Sequence, residues 1–204
     1  MCIRDSFTEP KEIVKKEIEF WKEEDTKKYC SLICLVLFNN TFSLTDCTTN
    51  VELFKKCLTL CGLPYCTAPS TLKTNLEQLE GYFVRKIGDN YHFYHDFIME
   101  VTTLVFGKDY PAETIRYADI GFLRRRVTLG NCNDSNDSFV INVNDTQINN
   151  FVERFLKEIV GDRFMEVVLN PCLKYEKLTD LLIERLGNDV EKVQMLLKLS
   201  LIHI

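Results

Sequence analysis

Glycine and proline are scarce in this chain of 204 residues, at eight and five, and histidine is scarcer still at three. The glycines are scattered, so no G-x-x-x-x-G-K-[ST] loop exists whose backbone amides would cradle phosphates, and the chain alone is not expected to hydrolyse nucleotide. C-x-x-C, H-E-x-x-H and G-x-S-x-G are absent too, which leaves no sequence signature for a metal centre or an activated nucleophile. A basic excess is missing: the formal net charge is -5, which argues against nucleic acid as a partner. Long apolar runs are missing as well, since the most apolar stretch, residues 32–38, falls far short of the roughly 20 residues that span a bilayer. The N-terminus lacks the basic and apolar regions of a secretory leader. These absences together predict a non-catalytic, cytoplasmic chain with no metal, no membrane segment and no nucleic-acid partner.

What is present is enough to fold. Hydrophobic residues make up 46% of the chain, sufficient for one sizeable core or two small ones. The nine cysteines are odd in number, and Cys30, Cys34, Cys57 and Cys61 sit inside apolar runs, so they read as reduced core residues rather than a disulfide framework. Four N-x-S/T sequons begin at Asn39, Asn133, Asn136 and Asn144, in a chain whose asparagine content produces such triplets readily. Residues 1–6 and 199–204 read as translated sequencing adapter, which predicts a natural chain that continues in both directions.

The periodicity predicts mostly helix. Ile13, Ile18, Phe20 and Trp21 lie among Lys and Glu in a surface helix from Pro10 onward, and Tyr29, Leu32, Ile33, Val36 and Leu37 mark a nearly all-buried helix stopped by Asn39-Asn40. A helix capped by Asn50 and closed by Gly62 follows, then one over residues 70–80 stopped by Gly81. The period then drops to two across residues 82–87 and 91–95, separated by Gly88-Asp89-Asn90, which is a β-hairpin signal. Asp96 is placed to cap the next helix, with Gly107 as its end. Helix, helix, helix, hairpin, helix is a winged-helix order. Residues 111–122 look helical, with Arg124-Arg125-Arg126 behind them. The fold class is therefore mostly α with a small β-hairpin: a winged-helix regulatory domain over residues 10–129, a loop at 130–138 and a helical array over 139–198. That array is marked by Ile148, Phe151, Phe155 and Ile159, then by Leu178, Leu181 and Leu182 after Pro171, then by Val190, Val193, Leu196 and Leu197. Residues 1–9 and 199–204 fall outside the domains.

A winged helix raises duplex DNA as a partner, with its third helix in the major groove. Over residues 69–95, however, Lys73, Arg85 and Lys86 are balanced by Glu77, Glu80 and Asp89, and phosphate contacts need a surplus of positive charge.

The tract Tyr91-His92-Phe93-Tyr94-His95-Asp96-Phe97-Ile98-Met99-Glu100 resembles the winged-helix motif of STAND-class, NACHT-like NTPases, in which an aromatic-x-His precedes a helix with a Glu five positions after the His. Those positions are His95 and Glu100. More widely, residues 17–127 resemble the segment after the NTPase core in invertebrate STAND proteins that carry ankyrin repeats or death-fold partners. Residues 187–197 are similar to the second helix of one ankyrin repeat and equally to a plain amphipathic helix. The resemblance implies an innate-immune type of signalling switch. The winged helix would pack on an upstream NTPase domain of the same chain, His95 would reach the β-phosphate of bound ADP, and exchange for ATP would release the arm toward protein partners and self-association. It implies no nucleotide held by this stretch alone. His92, earlier on the same hairpin arm, is the comparison position that tests strand packing without the motif. A free-standing winged-helix adaptor binding protein or nucleic acid is the rival reading.

Overall fold

Two helices open the chain, α1 (Thr8–Glu24) and α2 (Thr26–Leu37), in a computed structural model that describes residues 8–130, 139–159 and 161–188. α1 turns Ile18 and Trp21 inward and leaves Ile13 and Phe20 exposed. α2 is capped by Asp25, whose Oδ1 accepts the Lys28 amide at 3.2 Å, and every residue from Tyr29 to Leu37 is buried. α2 is accordingly the centre of the first unit. Its end is set by Asn39 and Asn40 at φ 52° and 61°, a left-handed step that asparagine tolerates better than other residues with a Cβ.

α3 (Asp46–Thr49), α4 (Val51–Leu60) and α5 (Pro69–Leu79) follow. α4 buries Phe54, Cys57 and Leu58, and α5 buries Leu72, Asn75, Leu76 and Leu79. The expected cap at Asn50 is not made: its Nδ2 turns back to Asp46 Oδ1 at 3.4 Å, and Glu52 in the first turn complements the helix dipole instead. Gly62 closes α4 at φ +68° as the period predicts.

The hairpin pairs β1 (Val84–Ile87) antiparallel to β2 (Asn90–Phe93), with Val84 opposite Phe93 and a two-residue loop, Gly88-Asp89. Gly88 takes φ +61° at the first loop position, which a type II′ turn requires. Phe42 forms a third, single-bridge rung on the other edge of β2, exchanging both backbone hydrogen bonds with Tyr91 at 3.1 and 2.7 Å. β2 is thereby central, burying Tyr91 and Phe93, while β1 buries only Val84 and projects as a wing. α6 (Asp96–Asp109) completes the unit against α1 and α2, running past Gly107, which is buried within it.

The boundary between units falls between Asp109 and Tyr110, upstream of the polar stretch where the sequence places it. The reason is strand pairing: β3 (Val127–Leu129) forms a parallel ladder with β4 (Ile141–Val143), and this holds residues on both sides of the polar stretch in one unit. Residues 111–122 do not form one helix. α7 (Pro111–Tyr117) ends at Ala118, and Asp119 starts α8 (Ile120–Arg126) by accepting the Phe122 amide at 3.0 Å. α9 (Ile148–Ile159) is strongly amphipathic and buries Ile148, Phe151, Val152, Phe155 and Ile159, with the Phe151 and Phe155 rings 5.6 Å apart at 64°. α10 (Phe164–Val168) precedes a 3₁₀ turn at Pro171–Lys174, and α11 (Glu176–Gly187) packs Leu178 and Leu182 against α9. Pro171 therefore opens the 3₁₀ turn rather than the helix itself. The helix expected over residues 190–197, with the ankyrin-like tract it closes, lies outside the described residues.

Candidate functional site

β2 stops at Phe93, so His95 does not sit on the strand with His92; it occupies the step between β2 and α6. The Tyr94 amide still donates to the Phe83 carbonyl at 2.9 Å, which fixes the direction in which the chain leaves the hairpin. The His95 carbonyl then accepts the Ile98 and Met99 amides at 2.9 and 3.3 Å, and its Nδ1 accepts the Phe97 amide at 3.2 Å. His95, not Asp96, is the N-cap of α6, its ring nitrogen doing what a Ser or Asp oxygen does elsewhere.

The cap assigns the tautomer. A ring nitrogen that accepts carries no proton, so in the neutral imidazole the N–H is on Nε2. The His95 ring is exposed and lies edge-on to Phe97 at 6.4 Å between centroids. A ring N–H donor on an exposed residue at a helix N-terminus is the chemistry available here. The amides beside it offer an anion little, because those of Phe97, Ile98 and Met99 already have partners, and the exposed Asp96 carboxylate adds negative charge at the same place. Glu100, five residues on, is half-buried and stands about 140° round the helix from His95.

His92 has the opposite role. Its Nδ1 lies 2.7 Å from the Asn40 carbonyl and therefore donates, while Asn40 Oδ1 accepts the Phe93 amide at 2.7 Å. Asn40 thus ties the end of α2 to β2 through both its backbone and its side chain. The sequence marks Asn40 only as a helix stop; its span of more than fifty residues to β2 has no local signature.

Arg124, read as part of a basic cluster, pairs with Glu166 at 3.1 Å, and Asp119 takes Arg163 at 3.0 Å. No group of three or more His, Cys, Asp or Glu side chains among the described residues is arranged to hold a metal ion. The second unit contains a cavity of about 240 Å³ lined by Thr128, Leu129, Pro171, Cys172, Lys174 and Tyr175. Beside it Asp145 accepts from Tyr175 Oη and from Lys177 at 2.5 and 2.6 Å; Lys177 and then Tyr175 hold its carboxyl below the usual aspartate value of 3.8. No helix among the described residues is long and apolar enough to cross a membrane. Comparison of the chain with protein-family models, with curated proteins and with solved structures returns no match.

Proposed function

We propose that this chain is the regulatory winged-helix and helical arm of a STAND-type signalling NTPase, holding an ADP-bound resting state and passing activation on to oligomerisation. The observation that carries the reading is the state of His95: Nδ1 is spent on the α6 cap, which leaves Nε2–H as the remaining polar group of an exposed residue at a helix N-terminus. That donor suits one phosphate oxygen of a nucleotide held by an upstream domain. A single donor does not replace a phosphate cradle, so the reading requires the nucleotide to be bound elsewhere and only sensed here.

A hydrogen bond to a charged phosphate is worth about 1.5–3 kcal/mol, or roughly ten- to a hundredfold in the ratio of resting to active states. Asp96 lowers that figure by repulsion, which leaves the contact strong enough to bias a switch and weak enough to be released. Tyr82, Ile87 and Tyr94, exposed in and around the hairpin, favour a protein surface over nucleic acid as what the wing meets.

The test begins with the upstream coding sequence, which should encode G-x-x-x-x-G-K-[ST] within a few hundred residues. In the full-length protein the decisive variant is His95→Ser. A serine hydroxyl keeps the N-cap and is too short to reach a ligand, so folding should be retained while bound ADP is lost and assembly increases. A full-length protein with no phosphate-binding loop, or a His95→Ser variant that keeps its ADP and its resting oligomeric state, overturns the proposal.

A further inference from the structure

In the second unit β3 lies against the 3₁₀ turn Pro171–Lys174, and the two, with Tyr175, enclose the cavity of about 240 Å³. Its walls are held by local bonds. Asn170 Oδ1 accepts the Cys172 amide at 3.0 Å, and the Cys172 carbonyl accepts the Tyr175 amide at 3.1 Å, which fixes the turn and the start of α11. The Tyr175 ring packs over Gly130 at the end of β3, where a Cβ would come within 3.1 Å of it.

The side-chain donors of the lining are spent, with one exception. Thr128 Oγ1 donates to Asn142 Oδ1 at 2.5 Å across the β3–β4 ladder, and Tyr175 Oη donates to Asp145 Oδ1 at 2.5 Å. The Cys172 thiol donates to the Val127 carbonyl at 3.5 Å. Leu129 and Pro171 have no polar side-chain atom. Lys174 remains: it is exposed, and its ammonium has no hydrogen-bond or ion-pair partner among the described residues. The Asp145 carboxylate that holds Tyr175 is already matched by Lys177 at 2.6 Å, so it does not neutralise Lys174. The result is an apolar space with one unmatched cation in its wall.

A dry cavity of about 150 Å³ accepts a benzene ring, so this larger one has room for a ring with a short chain, roughly ten non-hydrogen atoms. We propose that the cavity is a binding site for a small apolar monocarboxylate. The hydrocarbon part lies against Leu129, Pro171, Cys172 and the Tyr175 ring, and the carboxylate meets the Lys174 ammonium. An amine would be repelled by Lys174, and a phosphate ester would bring about two charges to a single cation. Ligands of this size and chemistry saturate such a site at about 0.1–1 mM. The site is separate from the His95 reading and stands or falls without it.

The experiment titrates the isotope-labelled 204-residue chain with hydrocinnamate and follows assigned backbone amide signals by NMR. The amides of Thr128, Leu129, Cys172 and Tyr175 should shift together and saturate with a Kd of about 0.1–1 mM. The alcohol and the amine with the same hydrocarbon part need no change to the protein. In a purely apolar cavity the alcohol would bind more tightly than the carboxylate, because it is easier to desolvate; beside Lys174 it should bind about fivefold more weakly, and the amine more weakly still. Lys174→Met keeps an apolar stem at an exposed position, so it should weaken hydrocinnamate about fivefold and leave the alcohol within about twofold. No saturable shift at these amides by about 10 mM hydrocinnamate, saturation confined to other residues, an alcohol or amine that binds as tightly as the carboxylate, or a carboxylate preference that survives Lys174→Met would each overturn the proposal.

Discussion

Asn40→Ala removes two things at once from the junction between α2 and the hairpin. The first is the acceptor for the Phe93 amide, which lies in a residue only 1% exposed and bonds to Asn40 Oδ1 at 2.7 Å. A buried amide left without a partner costs about 1–3 kcal/mol. The second is the tolerance of asparagine for its φ of 61°, worth about 1 kcal/mol over alanine. The sum is about 2–4 kcal/mol, or roughly 10–20 °C in Tm for a unit of this size. Asn40→Gly separates the contributions, because glycine accepts the backbone angle and loses only the side-chain acceptor, so it should cost about 1 kcal/mol less than alanine. Asn40→Asp keeps both acceptor and conformation and should stay within about 1 kcal/mol of the parent. Urea unfolding followed by circular dichroism measures all three. Equal losses for the alanine and glycine variants would show that the backbone angle contributes nothing, and a loss below about 0.5 kcal/mol in alanine would refute the proposed junction altogether.

Other outcomes follow from the same contacts. His92→Ala should cost about 1 kcal/mol and should be non-additive with Asn40→Ala in a double-mutant cycle, since both act on one junction. Gly130→Ala should destabilise the second unit by about 2–3 kcal/mol, measured by thermal unfolding: Gly130 has φ +90°, and a Cβ there would come within 3.1 Å of the Tyr175 ring. Asp145 should titrate below 3.8 when followed by carboxyl NMR, and Lys177→Met should move it back up. Because its folded value is depressed, whatever it contributes to stability is present above the ordinary aspartate range and is lost as pH falls through the folded value. Burial, then the neighbouring Asp46, push the Cys47 thiol up to about 11, so iodoacetamide at pH 8 should label Cys66 long before Cys47, and the Cys47 rate should climb as pH approaches 11.

Local chemistry determined much of this protein without help from the fold. The buried face of α2, the left-handed stop at Asn39-Asn40, the Gly62 closure, the Gly88 turn and the stripe of α9 all follow from residue type and spacing, because each depends on neighbours within a few positions. What needed the tertiary structure was every feature whose partner is remote in sequence. Val127 to Leu129 find a parallel partner only across the polar stretch, and that pairing moves the unit boundary back to Asp109. His92 and His95 look alike in the sequence, yet Asn40 reaches one from the far side of β2, while the other is left to cap α6 with Nδ1. Cys30 and Cys57 read singly as small core residues, and the Cys30 thiol comes within 3.8 Å of the Cys57 carbonyl only because α2 packs on α4. Spacing along the chain specifies which face of a helix a side chain occupies, and only packing specifies what stands opposite that face.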